Sequence, residues 1–123
     1  LLVLYISGVV VRHFFGIAVT VSNQSREKLR GVLVKVERRG KVYSLPELSP
    51  GETRRTYVEP FGESSINLYF KDSNGITHDA MLANYVESGY VGSASAEVKS
   101  DLSVNARDDT FRMVYWKSWF EFL

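Results

Sequence analysis

The stretch that decides the fold is residues 65–76, SINLYFKDSNGI, where apolar and polar residues alternate and then give way to a turn. Every second residue from Ile66 to Phe70 is apolar, which is the period at which a β-strand places side chains on one face. The pair Asn74-Gly75 that follows is the strongest short signal for a β-hairpin. The stretch therefore predicts a strand with one buried face and a partner strand that returns toward Leu82.

The same alternation recurs on both sides of this stretch. Every second residue is apolar from Ile17 to Val21 and again from Val32 to Val36, and small residues alternate from Gly92 to Ala96. Pro50-Gly51 provides the residues that a type II turn requires before a further strand at residues 53–58. No helical stripe separates these segments, so the sequence predicts seven or eight strands joined by turns. An all-β sandwich or small barrel is favoured over a parallel α/β sheet.

Three segments of the first half resemble many prokaryotic immunoglobulin-like domains. They are residues 21–25 (VSNQS), the valine row after Leu29, and residues 45–52 (LPELSPGE), and they match the family's V-x-N-x-S, L-x-x-V-x-V and L-x-PGE patterns. The likeness covers about residues 15–72 and marks turns, not a site. It implies an immunoglobulin-like antiparallel β-sandwich in an extracytoplasmic compartment, periplasmic or extracellular. The cysteine pair of antibody domains is absent from the sequence.

The first eleven residues, LLVLYISGVVV, are uncharged and apolar, and Arg12 and His13 end the run. About twenty apolar residues are needed to span a bilayer, so this run does not cross one alone. We interpret residues 1–13 as the remnant of a membrane anchor. The alternatives are a signal-peptide core and a buried first strand. The predicted attachment residues of this segment are Leu1, Leu2, Leu4 and Val9.

The other end of the chain is rich in aromatic residues. Residues 110–123, TFRMVYWKSWFEFL, contain six of them, including both tryptophans of the chain. Large exposed apolar patches mark contact with a partner or a membrane, and Trp and Tyr beside a lysine suit a headgroup interface. The alternative is a last element packed on the domain's own core. The predicted attachment residues of this tail, residues 108–123, are Phe111, Tyr115, Trp116, Trp119, Phe120 and Phe122.

No set of residues forms a catalytic or cofactor signature. Cysteine is absent, and the two histidines, His13 and His78, show neither metal-ligand spacing nor a serine-hydrolase pattern. A loop calcium site formed by Asp72, Asn74 and Asp79 is an alternative to a plain hairpin turn. We expect no enzyme activity, no cofactor and no small-molecule substrate. The net charge of +1 gives no reason to expect a nucleic-acid partner.

Two functions from different classes fit these observations. The first is a non-enzymatic accessory or interaction domain that is attached to a membrane or a membrane-protein complex through its termini. Residues 14–107 would form the sandwich, with a final short strand at Leu102 and Val104, and Arg38 and Arg39 would make rim contacts. The second is a soluble extracellular module that binds carbohydrate or another ligand on Tyr85 and Tyr90, because aromatic faces stack on planar or apolar ligand surfaces.

Overall fold

The computed structural model describes residues 16–38 and 41–112. These residues form eight β-strands and no helix, in two packed four-stranded sheets. The prediction of an all-β sandwich is therefore confirmed, and the immunoglobulin-like class stays a prediction. The strands are β1 (Ile17–Asn23), β2 (Arg30–Val36), β3 (Lys41–Ser44), β4 (Thr53–Val58), β5 (Ser64–Lys71), β6 (Thr77–Val86), β7 (Tyr90–Val98) and β8 (Val104–Arg112).

The two sheets have the strand orders β4-β1-β7-β8 and β3-β2-β5-β6. Neighbouring strands are antiparallel except β1 and β7, which run parallel. Strands β2 to β6 lie between β1 and β7 in the chain, and all of them except β4 form the opposite sheet. Apolar and polar residues alternate in the same way in parallel and antiparallel strands. The sequence therefore does not distinguish this one parallel pair.

The core lies between the two sheets. It consists mainly of the inward-facing residues of strands in which every second residue is apolar. Ile66, Leu68 and Phe70 of β5 are completely buried, as the alternation predicts. Burying such side chains stabilises the fold by about 1.5–3 kcal/mol each. The other buried members of this cluster are Ile17, Val19, Val21, Leu29, Val32, Val34, Val36, Leu48, Val58, Leu82, Ala83, Val86, Ala94, Ala96 and Val98.

The turns that the sequence indicates are present in the structure. Gly51 has φ +83° and Gly75 has φ +77°, the left-handed region that Gly adopts without steric cost. The hairpin between β5 and β6 has a loop at residues 72–76, closed by a hydrogen bond from the Asp72 amide to the Ile76 carbonyl of 3.0 Å. The turn predicted at Pro50-Gly51 and the hairpin predicted at Asn74-Gly75 are both present.

The last strand is longer than the sequence predicts. Leu102 lies in the preceding turn with φ +67°, and β8 continues for nine residues to Arg112. The described part of the predicted tail, residues 108–112, therefore belongs to the sandwich. Most side chains of β8 are exposed, so the strand has no buried alternating row. Its main chain pairs with β7 along its whole length, and this pairing leaves no signal in the residue types.

The first strand begins and the last strand ends at the same end of the sandwich, on either side of β7. Ile17 of β1 pairs with Gly92 of β7 on one side, and Thr110 of β8 pairs with Gly92 on the other. Neighbouring strands lie about 4.8 Å apart, so these two positions are separated by about 10 Å. We call this end, where β1 begins and β8 ends, the terminal end. The opposite end, where β1 ends and β8 begins, is the distal end.

Candidate functional site

Exposed aromatic side chains are concentrated at the terminal end. In the part of the chain that the structure describes, four aromatic residues are exposed, and each lies within about three residues of a strand end on this side. Ile76, by contrast, is an exposed apolar residue of the distal end. We call the four residues the aromatic rim. They are Tyr57 (40% exposed), Phe61 (57%), Tyr85 (44%) and Phe111 (56%).

The structure brings Tyr85 and Tyr90, the predicted ligand platform, into contact beside this rim. Their ring centroids are 6.0 Å apart with an interplanar angle of 76°, an edge-to-face arrangement. Tyr90 is half-buried and packs on the core, whereas Tyr85 is exposed. The Tyr85 hydroxyl donates to Glu87 Oε2 at 2.8 Å, and this bond raises the pKa of Tyr85 to about 12. The phenol therefore stays protonated and acts as a donor at neutral pH.

A cleft opens at the terminal end between the end of β2, the start of β3 and the segment after β4. It has a volume of about 360 Å³, and we call it the terminal cleft. Lys41 lies with its Nζ 5.4 Å from the centroid of the Tyr43 ring, and this neighbour raises the pKa of Lys41. Lys41 therefore carries its positive charge at neutral pH. Its lining residues are Val36, Arg38, Lys41, Glu59 and Phe61.

The predicted site residues divide into those that the structure describes and those that lie outside the described residues. Phe111 lies in β8 and Arg38 lines the terminal cleft. Tyr85 is the penultimate residue of β6, and Tyr90 is the first residue of β7. The sequence analysis did not single out Phe61, because an isolated Phe after Pro60 has no periodic pattern around it. The predicted residues outside the described part are Leu1, Leu2, Leu4, Val9, Arg39, Tyr115, Trp116, Trp119, Phe120 and Phe122.

At the distal end, Asp72 organises the β5–β6 loop. Its carboxylate accepts hydrogen bonds from the amides of Asn74 at 2.8 Å and Ile76 at 3.0 Å, and it lies 2.8 Å from His78 Nε2. The His78 ring stacks on Phe70, with centroids 5.1 Å apart. These contacts use the Asp72 oxygens that a calcium site would need. Among residues 16–38 and 41–112, no three His, Asp or Glu side chains group in a way that suits a metal ion.

Asp72 makes the stability of the domain depend on pH in the acid range. The hydrogen bond to His78, with those from Ile76 and Asn74, lowers the pKa of Asp72 below its ordinary value of 3.8. A carboxyl group whose pKa is lowered by folding contributes stability above its unfolded pKa, and this contribution is lost as the pH falls through the folded pKa. We expect Asp72→Asn to be less stable than the wild type above about pH 4, with the difference narrowing at lower pH.

Urea unfolding midpoints of both proteins between about pH 7 and pH 2 measure this effect. Folding also lowers the pKa of Glu37, Glu52 and Asp101, so the comparison with the variant isolates Asp72. Asp79→Asn is the matched control, because Asp79 is exposed and pairs with Tyr69 on the outer face of the sheet. A constant difference between Asp72→Asn and the wild type at every pH would contradict the prediction.

A comparison with solved structures finds the NMR structure of a protein from Eubacterium rectale. The TM-score is 0.52 and the sequence identity 10%, and the match covers 76% of this chain and 88% of that chain. At this identity the likeness shows the fold alone. No protein-family model matches the sequence, and the comparison with curated proteins finds no match. The comparisons thus support the two-sheet β architecture and assign no family.

Proposed function

We propose that the chain is a non-enzymatic accessory or interaction domain, attached to a membrane or a membrane-protein complex through its two apolar segments, with the sandwich outside the cytoplasm. One observation carries this proposal. Residues 1–15 join the sandwich just before β1 and residues 113–123 just after β8, and both strand ends flank Gly92. A single surface at the terminal end can therefore receive both segments.

The aromatic rim supports the same placement. Tyr and Trp are enriched where membrane proteins meet the headgroup region, because their rings are apolar and their polar atoms stay hydrated. The four rim residues lie at the end of the sandwich where the apolar segments join the fold; they are Tyr57, Phe61, Tyr85 and Phe111. Exposed apolar side chains that are gathered at one end indicate contact with a surface or a partner, whereas scattered ones do not.

The described residues contain no helix of the length and apolarity needed to cross a membrane. In our proposal, residues 1–11 and 111–123 make the attachment, helped by the aromatic rim. The resemblance of the first half to prokaryotic immunoglobulin-like domains supports an extracytoplasmic location, because such modules mostly lie outside the cytoplasmic membrane.

Cell fractionation of the full chain tests the proposal. We expect the chain in the membrane fraction, released by detergent and not by high salt, because apolar attachment is not screened by ions. Replacing Trp116, Trp119 and Phe120 together with serine should move most of the protein to the supernatant. The matched control is Ile76→Ser with Met81→Ser, which removes exposed apolar side chains away from the terminal end. Recovery of the unmodified chain as a monomer without detergent would refute the proposal.

A second candidate function is a soluble module that binds carbohydrate or another ligand. The contact between the Tyr85 and Tyr90 rings favours it, because two aromatic residues at one site offer a stacking surface. A glycan array with the wild type should then show binding that is lost in Tyr90→Ala and kept in Tyr57→Ala, which removes a rim ring elsewhere. If no glycan binds in a way that depends on Tyr85 or Tyr90, this candidate fails.

A further inference from the structure

We propose that the terminal cleft binds the headgroup of an anionic phospholipid. This inference rests on the proposed membrane attachment, since it names what the terminal end contacts there. The cleft opens at the end of the sandwich that both apolar segments join. A membrane surface held at this end would bring its headgroups to the opening of the cleft.

The lining of the cleft matches the chemistry of a phosphodiester headgroup. Arg38 and Lys41 contribute two positive charges against one carboxylate, Glu59, while Val36 and Phe61 supply apolar walls. A guanidinium group binds phosphate oxygens in a bidentate manner, and an ammonium group binds them as a point charge. The volume of about 360 Å³ lies within the range of small-ligand sites. The apolar walls suit the glycerol portion of the lipid.

The two basic side chains of the cleft are accessible to a phosphate group. Arg38 Nη1 lies 3.9 Å from Glu63 Oε2 in an ion pair. The side chain of Arg38 is 60% exposed and that of Glu63 is 68% exposed. Exposed ion pairs of this kind contribute little to stability, because water screens them. A phosphate group can therefore replace Glu63 as the partner of Arg38. Lys41 is exposed as well, so its ammonium group can reach a headgroup at the opening.

Two basic residues near the start of β2 are placed too far away to act on the same surface. Lys28 and Arg30 lie at the distal end and both pair with Glu47, at 3.4 Å and 4.0 Å. β2 extends over six residue steps from Arg30 to Val36, which corresponds to about 20 Å at 3.3 Å per residue, and Arg38 lies two residues beyond its end. A membrane at the terminal end would interact with Arg38 and Lys41 and leave Lys28 and Arg30 beyond the screening length of about 10 Å.

Vesicle co-sedimentation of the full chain tests the inference. Vesicles of phosphatidylcholine alone are compared with vesicles in which one third of the lipid is phosphatidylglycerol. We expect tighter binding to the anionic vesicles. Arg38→Gln with Lys41→Gln should reduce that binding about 30-fold, since each basic residue at an anionic surface contributes about fivefold. Binding to phosphatidylcholine alone should not change.

The control variant, Lys28→Gln with Arg30→Gln, removes the same charge from the distal end. It should keep binding to anionic vesicles within about twofold of the wild type. The inference would be overturned if the two double variants lost binding to anionic vesicles equally. That result would show that the net charge of the domain, and not the cleft, selects the lipid. Equal binding to both kinds of vesicle would also overturn it while leaving membrane attachment intact. No binding to either kind would overturn the inference and would also refute direct attachment to lipid, leaving attachment to a membrane-protein complex to the fractionation experiment.

Discussion

Asn23→Ala should lower the free energy of unfolding by about 3 kcal/mol, because it leaves several buried polar groups without partners. Asn23 ends β1 and is completely buried. Its Nδ2 donates to the carbonyls of Glu27 at 2.8 Å and Leu48 at 2.9 Å. Its Oδ1 accepts from the Ser25 amide at 3.0 Å and the Ser25 hydroxyl at 2.6 Å. One side chain therefore ties the loop after β1 to the loop before β4.

Urea denaturation followed by circular dichroism measures this loss. Gln24→Ala is the matched control, because Gln24 is the exposed neighbour of Asn23, and substitutions at such positions usually change stability by less than about 0.5 kcal/mol. Asn23→Asp keeps the acceptor oxygen but loses both donated hydrogen bonds and buries a charge, so it should be at least as destabilising as Asn23→Ala. An Asn23→Ala protein as stable as the control would show that the hydrogen bonds of Asn23 contribute nothing.

Gly92→Ala should destabilise the domain by about 4 kcal/mol, from backbone strain and a steric clash together. Gly92 has φ +98°, a conformation that residues with a side chain rarely adopt. A Cβ at this position would overlap the carbonyl oxygen of Asp109 and lie 3.0 Å from two ring carbons of Phe111. The Phe111 ring is able to rotate away. The Asp109 oxygen belongs to the main chain of β8, so relief requires β8 to move away from β7.

Gly89→Ala separates the two contributions. Gly89 has φ +91°, and a Cβ there would meet nothing within 4 Å, so this variant carries strain without a clash. We expect it to lose about 1–2 kcal/mol. Hydrogen exchange should show that Gly92→Ala exposes the amides of β8 before those of the core strands. Equal losses of stability in Gly89→Ala and Gly92→Ala would contradict the predicted clash.

The fold could be predicted wherever burial follows the chain with period two. Ile66, Leu68 and Phe70 alternate with polar residues, and the structure buries all three. The last strand could not be predicted to its full length, because Arg107, Asp108 and Asp109 are exposed in consecutive positions and show no alternation. The strand forms through main-chain hydrogen bonds to β7, which any residue except proline can make.

The buried polar contacts could not be predicted from the sequence, for a different reason. Asn23 and Ser25 have the residue types of an exposed turn, and the segment that contains them resembles a turn in the prokaryotic immunoglobulin-like domains. Asn23 donates a hydrogen bond to the carbonyl of Leu48, which lies twenty-five positions further along the chain. The pair Asp72 and His78 likewise forms across a loop that turns back on itself. Contacts of this kind depend on tertiary packing, which residue types alone do not reveal.

The sequence predicted several residues of the candidate site, but not that they lie together at one end of the sandwich. The sequence indicated apolar segments at both ends of the chain. It did not indicate that β1, which follows the first segment, and β8, which precedes the second, lie on either side of β7 and place these segments at the same end. That placement depends on the parallel pairing of β1 with β7. The aromatic rim has the same origin, since Tyr57 and Phe111 are far apart in the sequence and share an end only because β4 and β8 stop there.

The length of β7 also sets how far the domain reaches from whatever holds its terminal end. Nine residues in an extended strand span about 30 Å, so the loops around Asn23, Asp72 and Leu102 stand at roughly that height. A chain attached as proposed would present these loops, and not its sheet edges, to molecules arriving from the aqueous side. Substitutions in these short distal loops would change which molecules the domain contacts. The strands, left unchanged, would keep the loops at the same distance from the terminal end.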